Sequence, residues 1–226
     1  MNKTAQTMIN QVRKAGRRTL SEFESKQILA AYGIPVTRER LVEKQGDLMR
    51  AVEAIQFPLV LKGCSVEIAH KSEKGLVRLD IRSAEEARRA FAELLAAIGG
   101  SGAVLVQEMV KGSRELVMGL NRDAQFGPCV MFGLGGIFTE ILGDVVFRKA
   151  PLAKADALEM LMGIKARRIL DPIRGLPAAD TDKLASMLMT LGRIGLEIPA
   201  ISEIDLNPVI LAKEKPVAVD ALISLD

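Results

Sequence analysis

The chain has 226 residues, enough for one large domain or two small lobes with a buried core. Apolar residues make up 49% and charged residues 26%, which excludes wholesale disorder. A net charge of +3, from 31 basic and 28 acidic residues, is too balanced for an electrostatic nucleic-acid binder.

Other exclusions follow. There is no Trp and one Tyr, Tyr32, so base-stacking platforms would have to come from seven Phe. No apolar run approaches the roughly 18 residues of a spanning helix. The N-terminal MNKTAQTMINQVRKAGRR is basic but has no apolar signal core. Cys64 and Cys129 offer neither a disulfide framework nor a metal-ligand spacing. The expectation is a soluble, cytoplasmic protein with no nucleic-acid or membrane partner.

In chain order, residues 1–20 read as a basic, solvated extension. SEFE at Ser21–Glu24 is a capping box that opens a helix, stopped by Gly33 and Pro35. A second short helix starts near Asp47 and ends before Pro58. PLVLKGCS reads as a buried strand with Lys62 toward its end. GLVRLDI alternates, with Val77, Leu79 and Ile81 expected on its buried face. Ser83 and Glu86 form another capping box, opening a helix that runs to Gly99–Gly100, and AVLVQEMV is a third buried strand. The order β-α-β-β-α-β predicts an α/β or α+β lobe over residues 21–110.

A second lobe is expected over residues 111–226. RELVMGL and FGPCVMF read as strands joined by NRDAQ. A glycine-rich loop follows in FGLGGIFTEILGD. Two helices near 153–163 and 180–195 flank DPIRGLP, and ISEIDLNPVIL and PVAVDALISL close the chain as strands.

The closing pair carries the most chemistry. Glu203, Asp205 and Asn207 alternate onto one strand face, away from Ile204 and Leu206. A turn centred between Lys213 and Glu214 places Asn207 opposite Asp220, about 5 Å apart at Cβ. Asp220 interrupts an apolar strand, which is costly unless compensated. A few oxygen donors on neighbouring strands suit Mg²⁺, which completes its shell with water and phosphate; a solvated polar face is the alternative.

A nucleotide site would account for such a metal, so phosphate-binding signatures are informative. G-x-x-x-x-G-K-[ST] is absent, and Phe138 occupies the third position of a dinucleotide fingerprint beginning at Gly133, so neither a P-loop nor a Rossmann site is expected. A glycine turn between strands still brings backbone N–H groups to a phosphate, or is simply a tight turn. Lys62 supplies a point charge for phosphate, or is a solvated strand end.

Taken together, LSEFESKQILAAYGIPVTRERLV, VLKGCSVEIAHKSEKG, LVQEMVKGSRELVMGLNRDAQFGP, FGLGGIFTEIL, VFRKAPL and SEIDLNPVIL resemble the ATP-grasp domain of ADP-forming acyl-CoA synthetases. The chain is similar in particular to the β subunit of ADP-forming acetate–CoA ligase, a relative of succinyl-CoA synthetase, from about residue 20 onward. The resemblance implies an ATP-grasp fold whose two lobes clamp ATP or ADP with Mg²⁺. It implies that Lys62 contacts phosphate, that Gln107, Glu108, Met109 and Val110 run along the adenine, and that Glu115 helps hold the nucleotide. Gly135 and Gly136 match the loop near the transferred phosphate. Asn207 and Asp220 match the Mg²⁺ ligands, and Asp205 an acidic position that orients or accepts phosphate-transfer groups.

HKSEKG resembles the motif of a transiently phosphorylated histidine, and His70 is the chain's one histidine. A largely neutral imidazole is a competent nucleophile toward phosphorus, whereas lysine would be protonated. Leu76 departs from the family, where a second glycine is usual. Glu67, Lys71 and Lys74 flank the motif and either guide phosphate or are solvated charges. The implied activity is that of an acid–thiol ligase working with a CoA-binding α subunit in a hetero-oligomer. The alternative is a non-catalytic regulatory ATP-grasp module, as in protein acetyltransferase-like systems.

Overall fold

The computed structural model describes residues 2–64, 75–99, 102–136 and 143–226. The chain divides into two compact units, Thr37–Met109 and Met1–Val36 together with Val110–Asp226. This differs from the division at residues 20 and 110: the first helices belong with the C-terminal half, and a unit boundary falls between Met109 and Val110, one residue before the expected break.

The unit Thr37–Met109 contains β1 (Glu39–Val42), α3 (Gln45–Ile55), β2 (Leu59–Cys64), β3 (Val77–Ile81), α4 (Ala84–Ala97) and β4 (Ala103–Glu108). Its sheet is antiparallel in the order β1-β4-β2-β3. Leu59, Leu61, Val104 and Val106 share a core with Leu48, Val52, Phe91 and Leu94 of α3 and α4. The Ser83 hydroxyl accepts the Glu86 N–H at 3.2 Å, while the Glu86 carboxylate takes the Arg82 N–H instead of that of Ser83.

The alternation expected of β3 is broken. Leu59 pairs with Ile81 but Leu61 with Arg78, and Asp80 sits at φ 56. One extra residue in β3 reverses which side chains meet the helices, so Ile81 is buried and Leu79 is 65% exposed. Leu76, the departure from the family pattern, joins the core, and its carbonyl accepts the Gly63 N–H at 2.9 Å.

The other unit opens with α1 (Lys3–Lys14) and α2 (Glu22–Ala31). Residues 1–20 are not a solvated extension. Ala5, Ile9 and Val12 lie on one face of α1 and are buried in the unit's core. Each large apolar residue so buried contributes about 2 kcal/mol, which a 12-residue helix needs because propensity alone does not hold it. At the head of α2 the Ser21 hydroxyl accepts the Glu24 N–H and the Glu24 carboxylate accepts the Ser21 N–H, completing the capping box.

This unit continues with β5 (Glu115–Asp123), β6 (Gly127–Leu134), β7 (Val145–Lys149), α5 (Lys154–Gly163), α6 (Thr181–Glu197), β8 (Ile201–Ala212), β9 (Lys215–Ala218) and β10 (Leu222–Leu225). The sheet runs β10-β8-β5-β6-β7, with β9 also on β8, and its pairs are antiparallel. α5 and α6 cover one face, where Leu116, Met118, Leu120, Val130, Phe132, Ile204 and Leu206 form the core. The closing strand expected over PVAVDALISL is split at Val219–Ala221. Among the described residues no helix is long and apolar enough to cross a membrane.

Candidate functional site

The face of the larger sheet away from its helical core carries the expected carboxylates. Directly paired residues share a face, so Gly119 opposite Asp205 and Asn121 opposite Glu203 set out its floor along β5 and β8. The burial alternates accordingly: Ile204 and Leu206 point to the core, while Glu203 and Asn207 are exposed and Asp205 is half-buried.

Asn207 and Asp220 come together through the hairpin. Val209 pairs with Ala218 on one side of them, and Asp205 with Leu222 on the other. The register is the same in both pairs, so Asn207 falls opposite Asp220 as the turn at Lys213–Glu214 requires. The Val219 N–H donates to the Pro208 carbonyl at 3.0 Å, but Pro208 has no N–H to return. Asp220 turns its carboxylate onto the Ala221 N–H at 2.8 Å, which accounts for the strand break.

β8 also bulges here. Leu116 pairs with Val209 and Met118 with Leu206, leaving Val117 to face both Asn207 and Pro208. A bulge re-aims the side chain it carries, and this one sits at Asn207.

The electrostatics single out Asp205. Burial, followed by the negative charges of Glu203 and Asp220, pushes its carboxyl up to about 6. That coupling places the Asp220 charge within electrostatic reach of Asp205. Among the described residues no three His, Cys, Asp or Glu side chains converge into a protein-only metal cage. One amide oxygen, one carboxylate and an open face match Mg²⁺, which binds through one or two carboxylates and leaves positions for phosphate and water.

Glu115, Gly135 and Gly136 are also brought together. The Gly135 N–H donates to the Glu115 carbonyl at 2.9 Å. A Cβ on Gly135 would lie 2.6 Å from the Leu116 carbonyl carbon, and one on Gly136 would meet the Glu115 carboxylate. The glycines therefore let the loop lie flat against the start of β5. Beyond them the buried Asp144 carboxylate accepts the Lys165 and Ala166 N–H groups, both at 2.7 Å, and its carbonyl accepts the Leu134 N–H.

In the smaller unit, Lys62 and Gln107 project from the sheet face opposite α3 and α4, on β2 and β4, and both are buried. Glu39, directly opposite Gln107, adds a buried carboxylate to that face. Glu108 is engaged by Arg38, and the Met109 N–H donates to the Pro58 carbonyl. Val110 opens the other unit. His70, with Glu67, Lys71 and Lys74, lies outside the described residues.

Sequence reading missed Gly119, Arg38 and Arg114, and left Glu203 without a role. Arg114 is buried and donates to the carbonyls of Ile169, Asp171 and Lys213, tying the closing hairpin to the base of β5. Its only sequence signal is its place before Glu115.

The chain matches the ATP-grasp domain family over residues 11–225. It is 42% identical over 217 residues to the β subunit of acetate–CoA ligase [ADP-forming] I from Pyrococcus furiosus, covering 92% of each chain. Acetyl-coenzyme A synthetase 1 from Candidatus Korarchaeum cryptofilum, solved with coenzyme A and Ca-AMPCP, is 40% identical. It superposes with a TM-score of 0.94 over 98% of this chain and 100% of that one. A second structure of that enzyme, with Mg-AMPPCP, has a TM-score of 0.88 at 41% identity, with 98% and 100% covered. It is described with its phosphohistidine segment pointing towards the nucleotide binding site. The chain belongs to the ATP-grasp family of β subunits of ADP-forming acyl-CoA synthetases.

Proposed function

We propose that this β subunit performs the nucleotide half of acyl-CoA + ADP + phosphate ⇌ carboxylate + CoA + ATP. The observation that carries the reading is the Asn207–Asp220 pair, two Mg²⁺-suited oxygen donors beside the half-buried Asp205 on an open sheet face.

In this reading Asn207 and Asp220 hold Mg²⁺, which when bound neutralises phosphate charge. Lys62 adds a fixed positive charge for the phosphates, and the backbone of Gly135 and Gly136 lies against the transferred group. Glu115 holds the nucleotide, and Gln107–Val110 run along the base. His70 accepts a phosphoryl group on a ring nitrogen. That P–N bond then breaks as a terminal oxygen of ADP forms the new P–O bond. Asp205 orients the phosphoryl-carrying group. The HKSEKG motif and the phosphohistidine segment of the Korarchaeum enzyme support the role of His70.

The CoA half belongs to a separate CoA-binding α subunit in a cytoplasmic hetero-oligomer. Two measurements test this. Mg-ADP at about 100 times its Kd should stabilise the chain by about 2.7 kcal/mol in a melting experiment, and no shift contradicts nucleotide binding. ATP synthesis from acyl-CoA, ADP and phosphate should require added α subunit; synthesis by this chain alone contradicts the division of labour.

A further inference from the structure

The stem of the glycine loop is held by a carboxylate to which no motif gives a role. Asp144 stands just before β7, across from Leu134 at the end of β6, and its carbonyl accepts the Leu134 N–H at 3.2 Å. The two strands close tightly here: a Cβ on Gly133 would lie 2.6 Å from the Asp144 carbonyl oxygen. The Asp144 side chain is buried, and its two oxygens accept the Lys165 and Ala166 N–H groups, both at 2.7 Å. Such bonds are short and charge-assisted. Both end on main chain, so they tie the loop stem to the backbone of the turn after α5.

The contacts continue into a closed ring. Lys165 and Ala166 lead into a 3-10 helix, Arg167–Leu170. The carbonyls of Ile169 and Asp171, within and just after it, accept Arg114 Nη1 at 3.2 and 3.4 Å. Arg114 precedes Glu115, whose carbonyl accepts the Gly135 N–H at 2.9 Å, and Gly135 follows Leu134. The ring thereby returns to Asp144. Its effect is to clamp the stem on both flanks, by Glu115 on one side and by the turn after α5 on the other. A hairpin of two strands needs no buried carboxylate in order to form, and burying one is costly unless both oxygens are satisfied. The demand is on where the loop stands.

We propose that Asp144 is a positioning residue for phosphoryl transfer, setting where Gly135 and Gly136 stand against Glu115 as the phosphoryl group passes between His70 and the nucleotide. Without its carboxylate the Lys165 and Ala166 N–H groups lose their acceptors, the ring opens and the stem is free to shift. A misplacement of about 1 Å costs about 100-fold when it disturbs the geometry of a reacting group. Nucleotide affinity, spread over Lys62, Gln107–Val110 and the Mg²⁺ ligands, changes much less. The proposal rests on the nucleotide reading above and adds to it a residue that acts through the loop.

The test is transfer of label from γ-labelled Mg-ATP to the full chain, with the saturating rate and the half-saturating concentration measured separately. Asp144→Ala should lower the saturating rate by about tenfold or more while half-saturation moves by less than about threefold. Asp144→Asn keeps one oxygen acceptor; it should lose about threefold and serves as the test should Asp144→Ala not fold. Ile9→Ala, which weakens the fold through α1, should keep the wild-type rate at a temperature where it is folded. A wild-type saturating rate in the folded Asp144 variant overturns the proposal. So does a loss confined to half-saturation, or an equal fall in Ile9→Ala, which would assign the effect to binding or to stability. Absence of label on the wild type overturns the nucleotide reading instead.

Discussion

Asn207 and Asp220 stand opposite each other in one hairpin register that holds on both sides of the break in the closing strand. The bulge at Asn207 and the turned carboxylate of Asp220 give up sheet hydrogen bonds at the pair proposed to hold Mg²⁺. Asn207→Ala and Asp220→Asn should each remove the Mg²⁺-dependent part of ADP binding while leaving the fold intact. A weakening of about tenfold or more, measured with and without Mg²⁺, is expected. Equal loss without the metal would assign these residues to another task.

Asp205 should destabilise the fold at neutral pH. Its carboxyl sits at about 6 in the folded chain against an ordinary value of 3.8, so between these values the folded state holds the extra proton. Stability therefore falls as pH rises through 6 and the charge appears beside Glu203 and Asp220. Discounted for partial exposure, the cost at pH 7 is about 1 kcal/mol. Asp205→Asn should raise the melting temperature by about 2–4 °C at pH 7 and leave it unchanged near pH 4. The same variant should impair phosphoryl transfer, a trade of stability for function.

Gly136 has φ +71, and a Cβ there would run into the Glu115 carboxylate. Gly136→Ala should cost about 1 kcal/mol in backbone strain and also push Glu115 aside. Weakened ADP binding beyond what the small loss of stability explains is the expected signature, read from calorimetry and melting together. Wild-type affinity would separate Glu115 from the nucleotide.

Ile9 is 2% exposed in the core shared by α1 and the C-terminal half of the chain. Ile9→Ala should therefore cost about 2–4 kcal/mol and lower the melting temperature by roughly 5–10 °C. A change within error would return residues 1–20 to the status of a solvated arm.

These cases show where sequence reading succeeds. The Ser21–Glu24 capping box and the Lys213–Glu214 turn are local devices, so residue spacing alone places the helix start and the Asn207–Asp220 register. The bulge at Asp80 depends on a partner strand, and the period-two pattern of GLVRLDI therefore put Leu79 on the wrong side. α1 looked solvated because most of its residues are polar. Its three buried residues, Ala5, Ile9 and Val12, are spaced for one narrow face, and only the folded chain shows what that face meets. Arg38 and Glu108 are 70 residues apart, and no local pattern links them. The proposed identity of the site rests on motif order, while its electrostatic character depends on burial of Asp205 and on Glu203 and Asp220; spacing put Glu203 on the right face but gave it no role.

The most direct test of the account is phosphorylation of the chain by Mg-ATP labelled at the γ-phosphate. The account predicts acid-labile, base-stable label on His70, lost in His70→Asn and strongly reduced in Asp220→Asn. Undiminished labelling of His70→Asn, or an acid-stable phosphate on another residue, would contradict it.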